Sequence, residues 1–248
     1  LGVYNHIAGD GREYVITDES AVKLRAEDGR SIQKTDISMF IHDLPNGKDT
    51  VMFDTEDASG STSQAANTIE AIEAGTKLLL IDEDTCATNF MVRDAIMRKV
   101  VSQGKEPIRP FISRVRMLYE KFGISTILVA GSSGAFFDVS DRVIQMEQYE
   151  PLDVTKEAGK VTENEIKEES RDSDEEIDLP SFDRVILQDR ALLSDKRIKS
   201  KVITVDSFSI SKETVDLRGL EQITDREQTA FLCAALKYSY LHLVNGRK

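Results

Sequence analysis

Four consecutive aliphatic residues, Leu78 to Ile81, run straight into three acids, Asp82-Glu83-Asp84. A strand that is apolar at every position offers no face to water, so it has to lie in a sheet covered on both sides, which is the habit of parallel sheets. The neighbouring residues agree. Residues 63–74 place Ala65, Ala66, Ile69 and Ile72 near helical spacing, and Gly75 marks the end, which gives a helix ahead of a strand in "KLLLID". Further helices are predicted over 89–101 and over 111–122, the latter ended by Gly123. Strands are predicted in "EYVI" (13–16), "VKLR" (22–25), "STILVAG" (125–131) and "SDRVIQM" (140–146). Helix alternating with buried strand predicts an α/β fold, a largely parallel sheet covered by helices, with functional groups gathered at strand C-terminal ends.

With 248 residues, 40% of them hydrophobic and 31% charged, the chain suits one medium domain with an appendage, or two small ones. No apolar run approaches the roughly 18 residues of a membrane span. The start, "LGVYNHIAGDGREYV", has neither the basic nor the apolar region of a signal peptide, so a cytoplasmic protein that uses no membrane is expected. Cys86 and Cys233 stand in no metal or redox spacing and read as reduced thiols, and His6, His42 and His242 show no metal-ligand spacing. The net charge of −12 argues against general binding to polyanions, but it is unevenly spread. Residues 153–178 hold 11 acidic and 4 basic side chains, whereas 181–248 hold 9 acidic and 12 basic. The division expected is a core over 1–150, an acidic flexible linker over 151–180 and a C-terminal appendage over 181–248. Residues 184–201 carry six basic side chains, enough for contacts to RNA or another nucleic acid but without stacking aromatics; a solvated helix or hairpin face is the plainer reading.

A carboxylate that leaves a buried strand beside a nucleotide can hold Mg2+ through water, and its neighbour can orient or deprotonate an attacking water. Asp82 and Glu83 have that placement, although a solvated strand end or a helix cap needs the same residues. Asp84 could add a further group to the magnesium shell or cap a helix, and the cap is the plainer reading. Upstream, "ASGST" (58–62) precedes the helix of 63–74, with Ser59 23 residues before Asp82. A serine hydroxyl and the N–H groups around Gly60 at a helix start make a site for phosphate; a Ser/Thr-rich cap with no ligand is the alternative.

These residues resemble the motifs of ABC-class ATPases. "ASGST" is similar to the Leu-Ser-Gly-Gly-Gln signature loop, with Ser61 for the second glycine and Thr62 for the glutamine; Gln64 is a second claimant for that glutamine. "DEDTCATN" (82–89) is similar to the Walker B and D-loop run, matching at Asp82, Glu83, Thr85 and Ala87. "ILVAGSSGAFFDVSDRVIQM" (127–146) resembles the late strand, switch loop and following strand, but Gly131 or Ser132 stands where the switch histidine belongs. Together with "GVYNHIAGDGREYVIT", "DISMFIHDLPNGKDT" and "RGLEQITDREQTAF", they resemble bacterial proteins described as predicted ATPases of the ABC class, over nearly the whole chain.

That resemblance implies an ABC-type P-loop NTPase core with a small C-terminal α/β appendage, binding ATP and Mg2+ as a homodimer; some relatives are associated with RNA. Asp82 would hold Mg2+ and Glu83 would be the general base. Ser59, Gly60, Ser61 and Thr62 would meet the γ-phosphate of the partner's nucleotide, and Cys86, Ala87, Thr88 and Asn89 would form the D-loop. Gln33 would be the Q-loop glutamine. The family's P-loop, Gly-x-x-x-x-Gly-Lys-Ser/Thr, occurs nowhere in the 248 residues; "NGKDT" (46–50) has Gly-Lys but not the rest. The expectation is a fragment of a longer chain that carries the loop upstream, with little activity alone. Competing classes are a Toprim-like phosphotransfer domain, which explains the acids but not "ASGST", a nucleic-acid-binding module with a slow or inactive ATPase fold, and a dimerisation domain without turnover.

Overall fold

The computed structural model describes residues 16–44, 46–93, 106–131, 133–165, 178–182, 198–220 and 223–244. The chain divides into two compact units, Asp18–Ser181, and Phe182–Lys248 together with Leu1–Thr17.

The unit Asp18–Ser181 contains, in order, β1 (Val22–Leu24), β2 (Ile32–Thr35), β3 (Phe53–Thr55), α1 (Gly60–Glu73), β4 (Leu78–Asp82), α2 (Thr88–Met91), α3 (Val115–Phe122), β5 (Ser125–Val129), β6 (Ile144–Glu147), β7 (Glu150–Asp153) and α4 (Thr155–Glu165). The aliphatic run is β4, the middle strand of a parallel sheet ordered β1-β4-β5. Leu79 pairs with Val22 and Thr126, and Asp82 with Val129, so the three strands end along one edge. Leu79 and Ile81 are fully buried and Leu80 nearly so, as a run without polar alternation requires. Each such side chain contributes about 1.5–3 kcal/mol on leaving water.

Helix α1 packs on β1 and β2. Ala65, Ala66 and Ala71 keep its buried faces small enough for close approach, while Ile69 and Ile72 fill the space beside them. Gly75, at φ +89°, adopts the left-handed turn that lets the chain reverse into β4. Beyond β4, α2 is pinned by Phe90, which packs with Phe40 and Phe111, ring centroids 5.1 and 6.2 Å away. All three rings are fully buried. This trio fixes the peptide that follows the acids.

Several elements differ from expectation. The helix predicted over 89–101 is, in its described part, the single turn Thr88–Met91, after which Val92 is extended; 94–105 lie outside the described residues. The helix of 111–122 is broken into a 3-10 turn, Phe111–Ser113, and α3, because Pro110 starts the first and Arg114 interrupts. "SDRVIQM" yields β6, which does not join the parallel sheet but pairs antiparallel with β7. The strand predicted over 13–16 falls almost wholly outside the described residues. Of the acidic stretch 151–180, the portion through residue 165 is regular rather than open loop, namely most of β7 and the 11-residue helix α4. Asp153 starts that helix by accepting from the N–H and hydroxyl of Thr155 at 3.1 and 2.6 Å.

The other unit is a three-stranded antiparallel sheet, β8 (Ser200–Thr204), β9 (Ser207–Ile210) and β10 (Glu213–Asp216), with α5 (Arg226–His242) packed on β8 and β9. Ile198, Phe208, Ile210, Leu217 and Cys233 form its core. Among the described residues no helix is long and apolar enough to cross a membrane.

Candidate functional site

A parallel sheet collects its strand C-termini on one edge, and here that edge brings three peptides together: the loop after β1, the acids after β4 and the loop after β5. Asp82 is the last residue of β4, and the chain then tightens into a 3-10 turn, Glu83–Thr85. The Asp82 carboxylate caps that turn by accepting from the Asp84 N–H at 3.3 Å. The capping acid is therefore Asp82, not Asp84 as the sequence suggested; Asp84 is exposed. Only Oδ1 of Asp82 is engaged, and its Oδ2 takes no hydrogen bond among the described residues. Glu83 turns to β5, where its Oε2 accepts from the Gly131 N–H at 2.9 Å. Gly131 is one of the two positions aligned with the switch histidine, so a backbone donor faces the carboxylate there.

The loop after β1, residues 26–29, joins the acids to the signature segment. Ala26 N–H donates to Thr85 O at 2.9 Å, and Glu27 N–H to Ser63 Oγ at 2.8 Å. Gly29 N–H donates to Ala58 O at 2.8 Å, and Ala58 N–H returns a bond to Arg30 O at 3.0 Å. Gly29 makes this turn at φ +83°. Arg30 then reaches across to α1 and clasps both oxygens of Glu70 at 2.8 and 2.9 Å. Sequence reading missed this loop; its signal is position, the first loop at a strand C-terminal edge.

Ser59 is the N-cap of α1, with extended backbone, its hydroxyl 3.4 Å from the Thr62 N–H and 3.0 Å from the Thr62 hydroxyl. It is exposed. Gly60 and Ser61 open the helix, and among the described residues no hydrogen bond occupies their N–H groups. Gly60 sits close to Asp28: a Cβ there would stand 3.3 Å from Asp28 Oδ1, so a larger residue would make that carboxylate give way slightly. Thr62 differs from the rest of the loop, being buried with its hydroxyl turned inward to Ser59 O at 3.0 Å. No acid occupies the first turn of α1.

Cys86 to Asn89 leave the 3-10 turn and enter α2. Burial pushes the Cys86 thiol up to about 11, outweighing its hydrogen bond to Gln64, so it stays protonated and unreactive at neutral pH. Thr88 and Asn89 are exposed. Gln64 is fully buried inside α1. Its Oε1 accepts from the Ala87 N–H at 2.9 Å and its Nε2 donates to Met91 Sδ at 3.3 Å. Gln33 lies exposed on β2, in the two-stranded β2–β3 ribbon, a separate sheet from the one whose edge carries Asp82 and Glu83.

No cluster of three or more His, Cys, Asp or Glu capable of holding a metal occurs among the described residues. Mg2+ does not need one, since it keeps several waters and takes one or two carboxylates along with phosphate oxygens. A strand-end Asp82 with one open oxygen fits that demand.

Two comparisons with known proteins bear on what the chain is. The ABC_ATPase P-loop domain matches residues 1–180. A protein of Methanocaldococcus jannaschii described as uncharacterised is 34% identical over 157 residues, which is 61% of this chain and 33% of that protein. The chain thus spans about a third of the length of that relative. The family match takes in the loop after β1, the signature segment, the acids of β4 and the loop after β5, and the chain belongs to the ABC_ATPase family through its P-loop domain.

Proposed function

We propose that the chain supplies the Walker B, signature and D-loop parts of a Mg2+-dependent ATP-hydrolysing module that works as a homodimer, each subunit's signature loop facing the nucleotide held by the other. Membership of a P-loop ATPase family supports nucleotide binding. The observation that carries the finer reading is the Glu83 carboxylate, held at 2.9 Å by the Gly131 N–H where β4 and β5 end together.

In this reading Asp82 would hold Mg2+ through water, and the ion, when bound, would offset charge on the phosphate oxygens. Glu83 orients a water and accepts its proton, and the Gly131 N–H keeps the carboxylate aimed at the loop after β5 rather than into solvent. Ser59 and the N–H groups of Gly60 and Ser61 present a positive helix end to a phosphate arriving from outside the subunit. The reading requires a phosphate-cradling P-loop, and no Gly-x-x-x-x-Gly-Lys-Ser/Thr run lies within the 248 residues. The exposed Ile127 and Val129 on β5, beside this site, are consistent with further structure covering that strand. The basic run considered for RNA, 184–201, lies mostly outside the described residues.

The test is Glu83→Gln in the full-length protein. Hydrolysis should slow by about 10² to 10⁴ while ATP affinity and melting temperature stay put, the scale expected for loss of a general base. Parental turnover in this variant overturns the assignment. Residues 1–248 alone should show no micromolar ATP binding by titration calorimetry, because the P-loop supplies most phosphate contacts.

A further inference from the structure

We propose that Gln64 is a positioning residue that clamps the D-loop to the signature helix, so that the segment facing the partner's nucleotide and the segment following the acids move as one body. This rests on the ATPase reading above and names how its two parts are coupled.

Helix α2 starts from an N-cap residue that has nothing to cap with. Ala87 occupies the N-cap position of α2 and offers no side-chain bond. A helix start of this kind is usually secured by its own residues, as α5 shows: Gln228, in the first turn, accepts from the N–H of Asp225 at 3.0 Å and of Thr224 at 2.8 Å. At α2 the corresponding bond comes from a different helix. Gln64 lies 23 residues upstream on α1, and its Oε1 takes the Ala87 N–H at 2.9 Å. Its Nε2, 3.3 Å from Met91 Sδ, holds the other end of the same turn. One side chain thus grips α2 at both ends.

The grip is stiff. Gln64 has no exposure, Phe90 and Met91 between and beside its contacts are buried, and the Phe40–Phe90–Phe111 stack closes the far side of α2. Gln64 also stands five residues past Ser59 on the same continuous helix, so a displacement of the α1 start carries Gln64 and therefore Ala87 with it. Neighbouring Ser63, whose hydroxyl accepts from Glu27 N–H, ties the same turn of α1 to the loop that bonds Thr85. A phosphate arriving at the α1 start is in this way mechanically linked to the residues that flank Asp82 and Glu83.

Two variants in the full-length protein separate clamping from mere packing. Gln64→Met keeps length and apolar bulk but removes the acceptor; Gln64→Glu, its carboxyl held neutral by burial, keeps an acceptor at the same reach. For Gln64→Met the expected result is a kcat lower by about tenfold with KM for ATP unchanged, the cost of a small misplacement distant from the reacting atoms. Amide exchange at Ala87 and Thr88 should speed up at least severalfold while Ile69 and Leu79 keep their protection. Gln64→Glu should recover most of both. Unchanged exchange at Ala87 in Gln64→Met overturns the proposal, and so does equal loss in both variants together with collapse of protection at Ile69 and Leu79. If the parent protein hydrolyses no ATP, the ATPase reading fails, and exchange at Ala87 still decides the clamp.

Discussion

Helices α1 and α5 begin in opposite ways. The start of α5 is closed by its own acids: Asp225 accepts from the Glu227 N–H at 2.8 Å, Gln228 completes a capping box, and Glu227 puts a second carboxylate in the first turn. The start of α1 has a neutral Ser59 cap with a long 3.4 Å bond, no acid in its first turn, and Gly60 and Ser61 leading. A helix macrodipole places about half a positive charge at either start. In α5 that charge is met inside the molecule, which favours stability. In α1 the first turn leaves it unmet, although Asp28 approaches Gly60 from the side. A weakly capped start on a 14-residue helix is what a site for a transient phosphate requires, because a helix already neutralised in its own first turn has less to offer an incoming anion.

The largest effect expected from this contrast is at Ser59. Ser59→Arg should leave the fold intact, since the position is exposed and loss of the cap costs about 0.5–2 kcal/mol. Turnover should fall to background, the long side chain filling the place of the partner's γ-phosphate. Mixing these subunits with subunits disabled in the P-loop should restore one working site per mixed dimer. Mixed dimers seen by mass measurement, with activity still at background, mean either that Ser59 is only a structural cap or that the nucleotide is not shared between subunits.

A smaller effect follows from giving α1 the chemistry of α5. Ser61→Glu places a carboxylate in the first turn as Glu227 does, so the helix should gain about 0.3–1 kcal/mol from its dipole, read as a higher urea midpoint. The same charge repels phosphate, and KM for ATP should rise by on the order of tenfold, the factor equivalent to 1.4 kcal/mol. Stability and affinity moving in opposite directions is the signature of an anion site. A variant that gains stability with KM untouched removes phosphate from the α1 start.

How far this contrast could be read from residues alone depends on the range of the interactions. Gly75, Gly123 and the spacing of Ala65, Ala66, Ile69 and Ile72 announce α1, α3 and β4 because these signals are local, and the helix ends fall within a few residues of expectation. The β2–β3 ribbon escaped, because its outer residues Ile32 and Thr35 are buried with two exposed residues between them. Lys34 sits at φ +50°, a bulge that destroys the alternation a strand should show. The helix of 155–165 was hidden by charge, since a segment as polar as this one, with Lys156, Glu157 and Lys160 exposed, looks like linker until Ala158 is seen to be buried. In the site, Asp82, Glu83 and Ser59 were legible as motif positions. The Gly131 N–H on Glu83 and the Gln64 bond to Ala87 were not, because both join segments 23 or more residues apart through groups that any residue could supply, or that sit off the motif.

The two helix starts should also part company in acid. Hydrogen bonds to Glu227, through the side chain first and the backbone N–H second, hold the Asp225 carboxyl below the usual carboxylate range. A folded-state value below the unfolded one means that the cap stabilises the helix fully above the unfolded value and ceases to do so as pH falls through the folded one. The start of α5 should therefore fray only below the ordinary titration range of aspartate. Ser59 does not titrate, so the bond from Thr62 N–H to its hydroxyl has no such dependence. Amide exchange, corrected for its intrinsic pH dependence, should show protection at Glu227 falling in that acid window while protection at Thr62 holds. Asp225→Asn keeps a capping oxygen without the charge and should make Glu227 as indifferent to pH as Thr62, at the cost of a melting temperature lower by no more than a few degrees. Glu227 protection that fades equally in the parent and in Asp225→Asn assigns the acid response to other carboxylates, and with that the idea that α5 is closed by the charge of its own cap is lost.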